Sequence, residues 1–302
     1  MRAYLFPGQG SQAVGMGVDL IEASAAVRAV WEELDEALGL PLTRLMRDGP
    51  ADELTLTANA QPVIMANAIA CLRVGGMSVD GAAFVAGHSL GEYTALCAAG
   101  AFDLATTARL LRLRGEAMQA AVPVGEGAMA ALLGGSLEGA RALAEAASEG
   151  EVCVVANDND PTQVVLSGQA GAIKRAIGMA KERGFRRAVP LPVSAPFHSP
   201  LMAPAADAMR DALAEHPPRE PCVPLMANVS AAPTTDAGDI ARLLVEQVTG
   251  TVRWRESVLA LAAAGVTEVV EVGAKVLGAM VKRTVPEMVV VSVVGMADWE
   301  GV

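Results

Sequence analysis

Gly87-His88-Ser89-Leu90-Gly91 sets a serine between two glycines at the spacing of a nucleophile elbow. A serine hydroxyl attacks a carbonyl carbon when a sharp turn exposes it and a base takes its proton, and flanking glycines let neighbouring backbone approach such a turn. A helix that starts just after the serine aims its first N–H groups at the site, which suits a developing oxyanion. The chemistry open to this pattern is acyl transfer or hydrolysis through an acyl-serine. An ordinary strand-to-helix turn can carry the same five residues, so the surroundings decide.

The base must come from one of three histidines. His88 adjoins the serine, so its ring leaves the turn in another direction and is read as a support for the elbow. His216 precedes Pro217 and Pro218 at a helix end, where a solvated or capping role is expected. His198, in Ser194-Ala195-Pro196-Phe197-His198-Ser199, lies on a loop just before a helix. It is the best base by elimination, although a lone loop histidine is more often structural. Near the start, Phe6-Pro7-Gly8-Gln9-Gly10-Ser11-Gln12 follows an apolar strand. GxGxxG fails there because Ala13 replaces the last glycine, and no GxxxxGK[ST] exists for a P-loop. The glycines are read as bringing backbone close to a reacting centre, with a plain tight turn as the alternative.

Placing these residues takes an α/β fold, because short apolar strands alternate with helical patterns along the whole chain. Strands are expected at 2–6 and 83–86, and helices at 24–38, 62–74, 91–99 and 104–121. After Pro123 the rhythm becomes strand 128–133, helix 137–147, strands 152–156 and 163–167, helix 170–183 and strand 187–191. That βαββαβ order is a ferredoxin-like unit. It is expected as a small inserted domain at 123–194, interrupting a large α/β-hydrolase-like domain with a mostly parallel sheet at 1–122 and 195–302. Ser199 as N-cap and Pro200 at the first helical position restart the large domain with a helix to Glu215. Strands at 225–228, 269–272 and 289–293 complete its sheet, beyond a short proline-rich turn at 217–224.

The 302 residues can bury a sizeable core, and 52% hydrophobic against 19% charged content suits a soluble enzyme. A net charge of -11 opposes nucleic acid, whose phosphates need a basic face. Cys71, Cys97, Cys153 and Cys222 form no CxxC pair, so neither a disulfide framework nor a zinc site is expected and a reducing cytoplasm fits. No signal peptide is expected from Met1 to Gly10, which holds one charge and no long apolar run. The uncharged stretch 54–72 is broken by Asn59, Gln61, Pro62 and Asn67, so no membrane span is expected.

Taken together, Phe6-Pro7-Gly8-Gln9-Gly10-Ser11-Gln12, Gly87-His88-Ser89-Leu90-Gly91-Glu92, Arg114-Gly115, Phe197-His198-Ser199, Gln247 and Val252-Arg253-Trp254 resemble, in type and order, the malonyl-CoA:acyl carrier protein transacylases. The resemblance spans nearly the full chain. It implies that Ser89 carries the acyl group, that His198 is its base, and that the backbone carbonyl of Gln247 orients the imidazole in place of a triad acid. It implies an oxyanion hole from the N–H groups of Gln9 and Leu90. Arg114 would grip the free malonyl carboxylate with two parallel hydrogen bonds, and Phe197 beside the base would leave little room for an α-methyl group. Arg112 is expected to be a surface helix charge.

The resemblance also implies malonyl-CoA as donor, an acidic acyl carrier protein as acceptor, no cofactor of the chain's own, and a monomer. Phosphopantetheine arrives on the carrier. Docking an acidic carrier on an acidic enzyme needs a local basic patch, expected at Lys174, Arg175, Lys181, Arg183, Arg186 and Arg187, or else at Lys275, Lys282 and Arg283. The chain departs from the family at Gly273-Ala274-Lys275, where a Gly-Pro-Gly-Lys turn is usual, and a change in the distal wall of the site is expected. Rival readings are a serine thioesterase or hydrolase, which needs an acidic triad partner, and a silent carrier-binding module. The same chemistry could also serve polyketide synthesis or malonate decarboxylation.

Overall fold

The computed structural model describes residues 1–193 and 195–301. Ser194, at the expected domain boundary, and Val302 lie outside the described residues. The chain opens with β1 (Arg2–Phe6), buried beyond its first residue. Five helices follow: α1 (Val18–Ala23), α2 (Ala25–Leu38), α3 (Leu42–Asp48), α4 (Ala51–Thr55) and α5 (Thr57–Val74). The helix expected from Pro62 thus starts earlier, at Thr57, with the proline inside it. Pro62 has no N–H for the carbonyl of Ala58, and Arg112 Nη1 approaches that oxygen to 3.4 Å instead.

β2 (Phe84–Gly87) runs through the elbow into α6 (Gly91–Ala98), and α7 (Leu104–Ala120) starts on an Asp103 cap that accepts the Thr106 N–H. Next come β3 (Gly127–Leu133), α8 (Leu137–Ser148), β4 (Cys153–Asp160), β5 (Gln163–Gln169), α9 (Ala170–Met179) and β6 (Arg187–Pro190). The chain then passes a 3-10 turn at Pro200–Met202 into α10 (Ala203–Glu215), β7 (Leu225–Met226) and β8 (Pro233–Thr234). It closes with α11 (Ala237–Thr249), α12 (Trp254–Ala263), β9 (Glu268–Val272), α13 (Leu277–Thr284), β10 (Val289–Val293) and a 3-10 stretch at Met296–Gly301.

The larger sheet has the order β10-β9-β1-β2-β7-β8, parallel except for the short edge strand β8. Phe6 and Gly87 are register partners at the carboxyl ends of β1 and β2. The Gly-Gln-Gly loop and the elbow therefore leave the sheet side by side, where open parallel sheets place their sites. The second sheet, β4-β5-β3-β6, is antiparallel throughout, with α8 and α9 packed together and a core of its own around Leu132, Leu143, Leu166, Ile173 and Phe185.

Several local expectations change. Ser199 holds the N-cap position with Pro200 after it, as expected, but of a 3-10 turn, and its hydroxyl makes no capping bond; it donates instead to the Pro196 carbonyl at 2.7 Å, tightening the loop that carries His198. The strand expected at 225–228 stops at Met226, because Asn228 turns its side chain to the elbow. α9 ends at Met179, which leaves Lys181 and Arg183 on a turn.

Candidate active site

Ser89 holds φ at 53°, in the left-handed region that non-glycine residues enter at a cost of about 1–3 kcal/mol. The neighbours that hold the turn explain the two glycines. A Cβ on Gly87 would lie 1.9 Å from the Gly91 carbonyl oxygen, and one on Gly91 would lie 2.2 Å from the Phe6 oxygen. Asn228, just past β7, accepts the Ser89 N–H on Oδ1 at 2.8 Å and donates Nδ2 to the Gly87 carbonyl at 2.7 Å. The backbone of Arg253 donates in turn to the Asn228 carbonyl at 3.0 Å. His88 points away from the serine, as a support should. Its Nε2 pairs with Asn159 Oδ1 at 2.8 Å, and its ring packs 5.6 Å from that of Trp254.

His198 is brought to the serine by the loop before α10, also at positive φ, 56°. Its Nδ1 lies 2.8 Å from the backbone oxygen of Gln247 on α11, and its Nε2 lies 2.8 Å from Ser89 Oγ. A carbonyl can only accept, so Nδ1 carries the proton and Nε2 is left to accept from the hydroxyl. Burial pushes the imidazole down to about 3, the charge of Arg114 adds to this, and the bond to Gln247 opposes it. The ring is thus a neutral acceptor at neutral pH, ready to take the serine proton. His216 stands exposed after α10, away from the cavity lining.

Arg114 projects from α7 and is buried, 1% exposed. It donates Nη1 to Gln61 Oε1 at 2.9 Å, and Nη2 to Gln247 Oε1 at 2.8 Å and to Ser89 Oγ at 3.2 Å. Among the described residues it has no carboxylate ion partner, and its Nε has no hydrogen-bond partner at all. Burial lowers its pKa, and the nearby Tyr93 and Glu92 oppose the shift. A buried cation without a carboxylate is a site that favours an anion. Gly115 makes this depth possible, because a Cβ there would meet the Ala58 Cα at 2.6 Å and push α7 off α5. Arg112, expected on the surface, instead bridges Asn59 Oδ1 and Glu116, locking the same two helices.

These groups share one cavity of about 260 Å³, lined by Gln9, Ser89, Leu90, Arg114, Phe197 and His198. Met118, Met129, Leu191 and Val193 add apolar wall. Gln9 and Leu90 thus sit on the two loops flanking the hydroxyl, and Gln247 stands behind it. The turn at Gly273-Ala274-Lys275 is not among the lining residues; Gly273 packs on Ala68 of α5 and accepts from Asn67 at 3.1 Å, so the altered turn is a helix contact and no site wall.

Sequence reasoning missed Asn228, Gln61 and the side chain of Gln247, and quoted Glu92 without a role. All four are buried polar residues; Gln61 and Glu92 interrupt largely apolar helices and Gln247 falls on the face of α11 that carries Ile240, Leu243 and Leu244, which is the signal that could have found those three. Burial pushes the Glu92 carboxyl up to about 7, against hydrogen bonds from Gln247 and Asn228 and the charge of Arg114.

The chain is similar to acyl transferases over nearly its whole length. Residues 3–299 match the acyl transferase domain family. The chain is 46% identical over 286 residues to the malonyl CoA-acyl carrier protein transacylase of Bacillus subtilis (strain 168), covering 93% of this chain and 89% of that protein. A crystal structure of acyl-carrier-protein-S-malonyltransferase from Bartonella henselae superposes with a TM-score of 0.97 at 50% identity, covering 99% of this chain and 97% of the other. A type II PKS acyl-carrier protein in complex with its malonyl-transacylase gives a TM-score of 0.95 at 37% identity, covering 99% and 96%.

Proposed function

The chain belongs to the acyl transferase domain family, and from that premise we propose that it moves a malonyl group from malonyl-CoA to the phosphopantetheine thiol of an acyl carrier protein. The observation that carries the proposal is one cavity holding both a serine hydrogen-bonded to a neutral histidine and a buried arginine without a carboxylate partner. The first pair makes an acyl-serine. The arginine selects an acyl group that ends in a carboxylate.

In this reading Ser89 Oγ attacks the thioester carbonyl carbon as His198 Nε2 takes its proton. The N–H groups of Gln9 and Leu90 hold the oxyanion. Collapse breaks the C–S bond, and His198 returns the proton to the departing CoA sulfur. The carrier thiol then gives its proton to His198 and attacks the malonyl-serine carbonyl, and Ser89 leaves with the proton back on its oxygen. The Gln247 carbonyl fixes the imidazole throughout, Arg114 holds the malonyl carboxylate, and Phe197 crowds an α-methyl substituent. A hydrolase reading is disfavoured by the carbonyl, in place of a carboxylate, at His198 Nδ1.

The covalent route needs no cofactor of the chain's own. We assign the malonyl carrier product to fatty acid synthesis and the reaction to the cytoplasm, where the four free cysteines stay reduced. One chain supplies every group invoked, which supports a monomer as the working unit. The separate core between residues 123 and 194 supports treating that segment as an inserted domain. Intact-protein mass spectrometry tests the function: malonyl-CoA should add one malonyl mass at Ser89, and a carrier bearing phosphopantetheine should remove it. A chain that gains no mass overturns the reading.

A further inference from the structure

Glu92, in the first turn of α6, is fully buried, is not itself among the residues that line the cavity, and its carboxylate makes no hydrogen bond to Arg114. Its Oε1 accepts the backbone N–H of Asn228 at 3.2 Å, and its Oε2 accepts Gln247 Nε2 at 2.5 Å. Both partners are donors, so both carboxylate oxygens are used as acceptors and the ionised form fits the contacts. The start of a helix favours that charge.

Gln247 is the junction of the site. Its Nε2 also donates to the Ser89 carbonyl at 2.9 Å, its Oε1 accepts Arg114 Nη2 at 2.8 Å, and its backbone oxygen accepts from His198. The two ends of a carboxamide have nearly the same shape, so packing alone does not choose which end faces Arg114. The choice needs acceptors at the Nε2 end, and there the Glu92 carboxylate is the side chain that stands with the Ser89 carbonyl.

We propose that Glu92 is a positioning residue for acyl selection: it fixes the polarity of the Gln247 amide, so that Oε1 faces Arg114 and holds the guanidinium where a substrate carboxylate can meet it. Glu92 does not reach the substrate. The His198 link uses the Gln247 backbone oxygen and survives a flip of the amide; the Arg114 link does not.

Glu92→Gln tests this at constant shape. The Asn228 N–H can only donate, so the new amide must turn its oxygen to Asn228 and its NH2 to Gln247. Either the two NH2 groups oppose each other and push the Gln247 side chain from its place, or the Gln247 amide flips and sets NH2 against Arg114 Nη2 and Oε1 against the Ser89 carbonyl; both routes weaken the bond from Gln247 Oε1 to Arg114. Losing a hydrogen bond to a charged group in a buried site weakens recognition about tenfold or more. The rate of acyl-Ser89 formation from malonyl-CoA should therefore fall about tenfold further than the rate from acetyl-CoA, lowering the malonyl-to-acetyl ratio of kcat/KM.

Glu92→Asp keeps the acceptor-only chemistry and changes the shape, so it should hold the wild-type ratio better than Glu92→Gln. A residue needed only for its volume predicts the opposite ranking, with both acyl donors falling together. Equal losses, an unchanged ratio in Glu92→Gln, or a lower ratio in Glu92→Asp overturns the proposal. If Glu92→Gln fails to fold, Glu92→Asp alone decides, a retained ratio supporting the role and a collapsed one ending it.

The inference rests on the malonyl-transfer reading, and the wild-type adduct separates the two. No malonyl adduct on the wild type defeats the function itself. A normal adduct with an unchanged ratio in Glu92→Gln defeats only the role of Glu92.

Discussion

Arg114 Nη2 stands 3.2 Å from Ser89 Oγ, so the cation proposed to hold the substrate carboxylate is within hydrogen-bond reach of the proposed nucleophile. A malonyl thioester has one methylene between the carbonyl carbon that serine attacks and the carboxylate that arginine holds. The short separation of the two protein groups suits that short acyl chain. The guanidinium donates to the hydroxyl while His198 accepts from it, and the two contacts together orient the oxygen.

The covalent step depends on two side chains. Ser89→Ala should give no acyl adduct with malonyl-CoA in intact-protein mass spectra, because the Ser89 hydroxyl is the one hydrogen-bonded to His198 among the described residues. Undiminished transfer by that variant would remove the mechanism. His198→Ala should keep the serine but slow acylation by about 10² to 10⁴-fold, the usual contribution of a placed base.

In the proposed mechanism Arg114 governs choice of acyl group. Arg114→Ala removes charge-assisted hydrogen bonds worth roughly 3 kcal/mol together, about a hundredfold in malonyl-CoA turnover. Acetyl-CoA has no carboxylate to lose, so its transfer should be spared or raised. A matching fall with both donors would make Arg114 a structural residue.

Acid should test the fold before it tests the base. With the folded imidazole of His198 pushed down to about 3 and an unfolded value near 6.5, the unfolded chain binds a proton in this window that the folded chain refuses. Stability from this group is fully present above 6.5 and is lost as pH falls from 6.5 towards 3. His88 is shifted the same way by burial. Glu92, pushed up to about 7, binds its proton in the folded chain first and opposes this between about 7 and 4.5, but the larger His198 shift and that of His88 decide the sign, so melting temperature should drop on acidification, and His198→Gln should drop less steeply. The acylation rate with acetyl-CoA, which does not use Arg114, should stay level from about pH 8 to about pH 5 while the protein remains folded. A rate that halves near pH 6.5 would show an ordinary, solvated histidine.

Much of this was legible in the sequence, for reasons that differ by residue. The elbow was readable because Gly87 and Gly91 are the residues that tolerate 1.9 Å and 2.2 Å approaches, and β1 and β10 fell on the expected bounds because apolar runs in a parallel sheet are continuous. α5 was cut short because Pro62 looks like a helix start, and only the tertiary approach of Arg112 to the Ala58 carbonyl makes it an interior residue. Asn228 and the Gln247 side chain were not legible, since a polar residue announces burial but not its partner across some 140 to 160 residues of chain. Arg112 and Arg114 sit two apart on one helix, and sequence alone could not tell that both would meet the first turns of α5, Arg112 at Ala58 and Asn59 and Arg114 at Gln61.

The last prediction concerns the acidic carrier. Lys174, Lys181, Arg183, Arg186 and Arg187 are exposed on α9, the turn after it and β6, and none has an ion pair among the described residues. Arg175 is already committed to Glu149, Glu151 and the end of α8. The second expected patch is weaker still, since Arg283 pairs with buried Asp160 and Lys275 with Asp298. β6 leads from Arg187 straight to Leu191, Pro192 and Val193, which line the cavity, so a carrier held at this turn would sit near its mouth. An otherwise repulsive acidic enzyme needs such a local field to capture an acidic partner. Reversing Lys181 and Arg183 to Glu should raise KM for the carrier and flatten its dependence on salt, while KM for malonyl-CoA barely changes. Equal losses for both substrates would indicate a damaged fold, and no loss for either would move the dock away from this face.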